Sequence, residues 1–388
     1  MKKMLQGKNI LIISPEPWSD MHISKHHYAI ELTIRGNFVF FLNPVKNTPS
    51  LSIKIHPHFK VKNLFLISFS CIITYRAKFH FRWLFNLFLH TQIRRILHKI
   101  GRKIDIVWDF DRGHLYQDYS IFRSELNIFH PVDQGSETLP PQKRPDVIFS
   151  VSSEILDFYS QFTTPHKYFI NHGLGDVFAE LAKQRLEEEY TYEPNEKLEA
   201  AYIGNLMIPY IGHNAILNVI QNHTDVIFHF FGPYSLKLEK NLTLCAVNFI
   251  NKLNSFPNVH LHGLTKKQDI VAKIRSADIL FFYYHSAPGY NSDNTHKILE
   301  YLSTGRIVIG SVLSSYRNLN LYQQANTEEE WIAIFAKTVK QIGKHNTIEQ
   351  QHKRLKFVLE NTYNAQLTKI NEILLNIHNI KQKKGTCK

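Results

Sequence analysis

The chain has 388 residues, 44% hydrophobic and 20% charged, with 16 Gly and 15 Pro. That is enough for about two or three packed domains, and it excludes a low-complexity polymer or a disulfide-stapled mini-protein. The net charge of +13 is unevenly placed. From Leu32 to Ile104 there is no acidic residue, and the cations of that stretch, from Arg35 to Lys103, equal the whole formal surplus.

Three cysteines, Cys71, Cys245 and Cys387, lie far apart, so neither a disulfide framework nor a thiolate zinc site is supported and a reducing cytoplasm is the expected setting. The start of the chain lacks the apolar core of a secretory signal. The longest apolar stretches, around Leu64–Tyr75 and Ile279–Tyr284, are shorter than the roughly 18 residues of a membrane span.

In chain order, Asn9–Ser14 reads as a strand, Ile23–Arg35 as an amphipathic helix and Phe38–Leu42 as a second strand. From Phe81 to Ile100 apolar residues recur near helical period, at Leu84, Phe88, Ile93, Ile96 or Leu97 and Ile100, among many cations. Three readings of this basic helix stay open: a helix lying on an anionic membrane, a core-facing helix with a solvated cationic back, and a nucleic-acid contact. The last lacks any recognisable nucleic-acid-binding module, so no nucleic-acid partner is expected.

Short apolar runs follow at Ile104–Trp108, Leu126–Phe129, Asp146–Phe149 and Tyr168–Ile170, each bounded by polar or turn residues, as buried parallel strands are. The charged stretch around Glu180–Lys197 is the expected domain boundary. Beyond it the same alternation restarts, with strands at Ala200–Gly204, Val226–Gly232, Val259–Gly263, Ile279–Tyr283 and Ile307–Gly310, and helices at Lys266–Ser276 and His296–Leu302. The organisation predicted is residues 1–185, 198–365 and a C-terminal helix with a basic tail over 366–388. Two α/β domains of this kind bind ligands at the carboxyl ends of their strands and invite a cleft between them.

The most specific segment is Asn294-Thr295-His296-Lys297-Ile298-Leu299-Glu300-Tyr301-Leu302-Ser303-Thr304-Gly305. Physically, a lysine opening a helix offers a cation and amide donors to a diphosphate, and a glutamate one turn on can accept from ribose hydroxyls. Gly305 suits a left-handed helix end. Taken alone, the motif also fits a packed helix with an ordinary Lys297/Glu300 surface pair.

This segment resembles the sugar-nucleotide signature of GT-B glycosyltransferases, in particular the bacterial family 1 and family 4 enzymes. The resemblance continues through Ile12–Trp18 and Ser24–Leu32, which look like the first strand, acceptor-side loop and helix of that fold. It extends to Ser150–Leu156 with Ile170–Leu174, and to the glycine-ended strands at Gly204-Asn205, Gly232-Pro233 and Gly263. It implies two Rossmann-like domains facing each other across a cleft, the first binding acceptor and the second the donor. The implied reaction moves a sugar from a nucleoside-diphosphate sugar to a hydroxyl of a saccharide or lipid-linked acceptor, in surface polysaccharide or glycolipid synthesis. Separately, the basic first half suggests peripheral association with the anionic inner face of the cytoplasmic membrane.

On that resemblance the donor residues are Gly204, Asn205, Gly232, Gly263, His285, Thr295, His296, Lys297 and Glu300. The acceptor side is Glu16, Trp18, Lys25 and His26, and the catalytic candidates are His130 and Asp133. Where many retaining members have a further glutamate this chain has Ser292, beside Asp293, and the basic pair that often follows the first donor-domain glycine is replaced by Asn205-Leu206-Met207. Stereochemistry therefore stays open, and Lys297, His296 and backbone amides are left to hold the diphosphate. Ser286–Asp293 is expected to be a mobile loop. Asp109-Phe110-Asp111 reads as cleft lining or capping; no metal or other cofactor is expected. Two alternatives stand beside this reading: a sugar-nucleotide epimerase of the same fold, and a non-enzymatic basic protein binding membrane or nucleic acid.

Overall fold

The computed structural model describes residues 4–19, 22–46, 48, 50–72, 77–116, 118–133, 145–159, 164, 166–188, 191–234, 244–285 and 294–385. The chain forms two compact units, Met1–Asn171 with Tyr363–Lys388, and His172–Thr362.

The first unit contains β1 (Asn9–Ile13), α1 (Ser24–Ile34), β2 (Phe38–Leu42), β3 (Ile53–Pro57), β4 (Leu64–Phe69), α2 (Ala77–His80), α3 (Arg82–Ile100), β5 (Ile106–Asp109), β6 (Leu126–Phe129), β7 (Val147–Ser150), α4 (Ser153–Phe158) and β8 (Lys167–Phe169). Its sheet runs β3-β4-β2-β1-β5-β6-β7-β8, parallel except for the antiparallel edge strand β3. Central strands such as Phe38-Val39-Phe40-Phe41-Leu42 are apolar throughout because both faces are covered. Ile10, Ile12, Val39, Phe41 and Trp108 pack one way, under α1. Leu11, Ile13, Phe40, Leu42 and Val107 pack the other way, against Phe85, Leu89, Ile93 and Ile96 of α3. The packed face of α3 is thus Phe85, Leu89, Gln92, Ile93 and Ile96, one position round from the Leu84 and Phe88 expected from periodicity.

The second unit contains α5 (Asp176–Glu187), β9 (Glu199–Ile203), α6 (His213–Asn222), β10 (Ile227–Phe231), α7 (Leu244–Ser255), β11 (Val259–Gly263), α8 (Lys267–Ile274), β12 (Ile279–Phe281), α9 (Lys297–Leu302), β13 (Ile307–Ser311), β14 (Gln323–Ala325), α10 (Glu328–Lys340), α11 (Ile342–His345) and α12 (Ile348–Leu359). Its parallel sheet runs β11-β10-β9-β12-β13-β14. That is the doubly wound order, in which the chain builds outward from β9 on one side and then crosses to β12 on the other.

The units divide at Asn171/His172 and Thr362/Tyr363, not in the charged stretch after Glu180. The reason is packing: α5 lies against α12 and α8, and Arg185, buried in it, donates from Nε to the Thr304 carbonyl at 3.2 Å. The last helix, α13 (Tyr363–Gly385), is not a separate tail. Its Tyr363, Leu367, Ile370, Leu374 and Ile377 complete the apolar layer over the first sheet. Asn371 Oδ1 accepts from the Leu5 amide at 3.1 Å.

Candidate functional site

In the second unit the strand order reverses between β9 and β12, so their carboxyl ends leave a crevice. Three glycines shape its floor. Gly204, Gly232 and Gly263 follow or end β9, β10 and β11 with φ of 153°, 142° and 70°. They are laced together, the Gly204 amide donating to the Phe231 carbonyl at 2.7 Å and the Gly232 amide to the Gly263 carbonyl at 2.9 Å. Asn205 turns the chain out of the floor, its Oδ1 accepting from the Met207 amide at 2.9 Å.

Lys297, the first residue of α9, enters over Gly204. A Cβ on Gly204 would stand 2.2 Å from Lys297 Nζ, so glycine is what lets the ammonium sit there. Nζ donates to Tyr284 Oη at 2.7 Å and lies 5.2 and 5.3 Å from the ring centres of Tyr202 and Tyr284. Among the described residues it has no carboxylate partner. Tyr301, fully buried, clamps α9 to the end of β9: its Oη accepts from the Ile203 amide at 2.7 Å and donates to the Ile203 carbonyl at 3.2 Å. The Lys-x-x-Glu-Tyr spacing thereby anchors the helix with one residue and points the others at the crevice.

Glu300 is half-buried on the same helix, and among the described residues its carboxylate makes no hydrogen bond or ion pair. Burial pushes its carboxyl above the usual range, while the charges of Lys267 and Lys297 oppose that shift. Lys267, which opens α8, thus stands near enough for its charge to act on Glu300. Neither Lys267 nor Tyr202 and Tyr284 stood out in the sequence, because residues so far apart have no common motif. Ile298 and Leu299 amides already donate to the Thr295 and His296 carbonyls at 3.3 and 3.2 Å, so these two amides of the short helix are already engaged. His296 is exposed, its ring 6.1 Å from that of buried His172. His285 is exposed too, its amide donating to the Tyr210 carbonyl at 2.8 Å and its ring beside Tyr283. Ser286–Asp293, with Ser292 and Asp293, lies outside the described residues.

In the first unit the order reverses between β1 and β5. After β1, Ser14 Oγ accepts from the Glu16 amide at 3.2 Å, and Asn43 Oδ1 accepts from the Trp18 amide at 2.7 Å, fixing the loop. Lys25 is buried and ion-paired with exposed Glu16. Half-buried Trp18 packs edge-on to His26 and Phe41, with ring centres 5.0 Å apart in each pair. His26 is itself buried and stacked on Phe41. Of the four acceptor-side residues, Glu16 and Trp18 are therefore the open ones, and Lys25 and His26 hold the loop.

Burial, with the charges of His22 and Lys25, pushes His26 from 6.5 down to about 4. The unfolded chain thus takes up a proton that the folded chain refuses between about 6.5 and 4, and stability falls as pH falls through that window. The expected loss is on the order of 2 kcal/mol by the lower end. Urea unfolding at neutral and acidic pH measures it, and His26→Gln, which keeps an acceptor for the Ile23 amide, is expected to shrink it.

His130 is fully buried between Phe110, Tyr28, Phe149 and Trp108, whose Nε1 donates to His130 Nδ1 at 3.3 Å. It faces rings, not an open cleft; Asp133 is exposed. Asp109 and Asp111 are capping residues: Asp111 accepts from the Gly113 and Leu115 amides at 2.9 Å each, and Asp109 from the Asp111 amide and Tyr119 Oη at 2.7 and 2.9 Å. Burial and the neighbouring Asp111 hold the Asp109 carboxyl well above its usual range.

No protein-family model and no curated relative matches the chain. Solved structures do match. Trehalose 6-phosphate synthase from Burkholderia multivorans aligns over 97% of this chain and 100% of its own at a TM-score of 0.67 and 10% identity. Sucrose-phosphate synthase from Thermosynechococcus elongatus covers 96% and 100% at 0.66 and 10%. Anabaena HepE, solved with UDP and glucose, covers 95% and 99% at 0.62 and 11%. The fold of this chain is that of these proteins, the GT-B fold of two Rossmann-like domains.

Proposed function

We propose that the chain is a glycosyltransferase whose second unit binds a nucleoside-diphosphate sugar and whose first unit binds a saccharide or lipid-linked acceptor. The observation behind this reading is the Lys297 ammonium seated over Gly204 at the strand-order reversal, with Lys267 and Glu300 beside it. Two cations suit a diphosphate, and a carboxylate without a partner suits a ribose diol. Uridine is the base we expect, since HepE was solved with UDP and an Escherichia coli trehalose-6-phosphate protein with UDP-2-fluoro glucose.

In the reaction the acceptor hydroxyl attacks the anomeric carbon, the bond to the diphosphate breaks, and Lys297 and Lys267 take up the charge that develops on the leaving phosphate. Asp133 is the group we place to receive the hydroxyl proton, while His130 holds the ring cluster. The Asp109 and Asp111 oxygens are committed to loop amides and Tyr119, so transfer is expected to persist in EDTA. Surface polysaccharide or glycolipid synthesis is the role that fits a lipid-linked acceptor.

The test is UDP release from UDP-sugars with and without a panel of saccharide and lipid-linked acceptors, with the products analysed. Acceptor-dependent UDP release and a new glycoside support transfer; an epimerised sugar from donor alone refutes it. A further expectation separates binding from folding. Glu300 is half-buried and among the described residues its carboxylate makes no hydrogen bond, so Glu300→Gln should leave the ligand-free protein as stable or about 1 kcal/mol more so, while donor affinity falls at least roughly tenfold. Thermal unfolding with and without UDP-sugar checks both halves.

A further inference from the structure

We propose that the exposed end of α3 is a membrane anchor. Phe79, Phe81, Trp83 and Leu87 enter the interfacial zone of an anionic bilayer, and the cations farther along the helix lie over its head groups. The inference rests on the first unit alone and is independent of the donor site.

One face of α3 is committed to the core through Phe85, Leu89, Ile93 and Ile96. Its start is tied down by Arg82, whose guanidinium donates to the His114 and Leu115 carbonyls at 2.9 and 3.2 Å. That docking turns the other face outward. Trp83 is 71% exposed and Leu87, one turn on, 58%; Phe81 and Phe79 just ahead are 60% and 57% exposed. Single exposed apolar residues are ordinary, but four large ones this close together form a patch of the kind that marks an interaction surface.

The same outward stripe, continued by turns from Leu87, reaches Thr91, Arg94 and His98, all exposed and flanked by exposed Arg95 and Lys99. Lys103, at the far end, pairs with Glu125 at 2.6 Å, and the stretch from Leu32 to Ile104 has no carboxylate of its own. An apolar, tryptophan-bearing end grading into a cationic one matches the layering of an anionic bilayer surface: acyl boundary, then head groups. A second copy of this chain fits worse, because its net charge of +13 opposes self-association.

The experiment is co-sedimentation and tryptophan fluorescence of the full chain with phosphatidylcholine vesicles, with and without phosphatidylglycerol, at low and high salt. Trp108 and Trp331 are fully buried and Trp18 is half-buried, so the part of the vesicle-induced blue shift that disappears in the variant lacking Trp83 is the part that reports Trp83. Expected are binding to the phosphatidylglycerol vesicles with a blue shift, weakening with salt, and a fall of at least about tenfold in Phe81→Ser/Trp83→Ser. A urea-unfolding midpoint like that of the wild type shows the variant folded without any use of UDP, which keeps this result apart from the donor-site reading. Wild-type vesicle binding by the variant overturns the proposal. So does absence of binding at low salt, or self-association of the wild type that the variant loses, which would assign the patch to a second copy.

Discussion

Lys297→Met is expected to lower sugar transfer at saturating donor by roughly 10²–10³-fold and to leave the second unit folded. Methionine keeps the unbranched side chain out to Cε but removes the ammonium and its 2.7 Å hydrogen bond to Tyr284 Oη. That bond is a single contact, so the ligand-free unfolding midpoint should move by no more than about 1 kcal/mol. On the proposed function the charge is expected to matter most when the diphosphate leaves, since among the described residues no carboxylate is within ion-pair distance of it. Donor affinity should weaken as well, by about 1.5–3 kcal/mol for one hydrogen bond to a charged group. Turnover and UDP affinity measured side by side check the split. Near wild-type turnover would remove Lys297 from the chemistry.

The largest loss of stability is expected from Gly232→Ala. A Cβ there would lie 2.0 Å from the Gly204 carbonyl oxygen, at a φ of 142°. Neither atom belongs to a flexible side chain, so the floor of the crevice must deform. The expected cost is about 3–5 kcal/mol, and UDP binding should fail with it. Gly36→Ala is the control: it also has positive φ, 82°, but nothing stands within 4 Å of its added Cβ, so about 1 kcal/mol is expected. Urea midpoints of the two variants give the comparison, and equal losses would mean that strain alone, not the interlock with Gly204, decides the position.

Both sheets were legible where their strands are buried on two faces, because such runs are apolar throughout and bounded by turn residues. β14, Gln323-Gln324-Ala325, has no such signature; it is a strand only because β13 pairs with it. β3 alternates Lys54 and His56 with Ile53 and Ile55, as an antiparallel edge does, and so lacks the continuous apolar run that marks the buried strands. The phase of α3 was ambiguous because Trp83, Leu84, Phe85, Leu87, Phe88 and Leu89 are all apolar, so more than one face satisfies helical period. What chose Phe85 and Leu89 was docking on the sheet.

The same limit applied at the candidate site. Lys297, Glu300, Gly204 and Gly232 stood out because each lies in a short local pattern. Tyr202, Tyr284 and Lys267 meet them only through the order of the sheet. The return of α13 to the first unit was likewise hidden, since an amphipathic helix carries no address for the surface it covers.

The most direct test of the central claim, a nucleoside-diphosphate site built on Lys297 over Gly204, is thermal unfolding of the full chain against a panel of nucleoside diphosphates and their sugars, repeated with Lys297→Met. A ligand bound only by the folded state adds about 2.7 kcal/mol at a hundred times its Kd. A selective rise with one diphosphate, most strongly its sugar, that falls to about half or less in the variant is the predicted result. No rise with any nucleotide, or an equal rise in the variant, would contradict it.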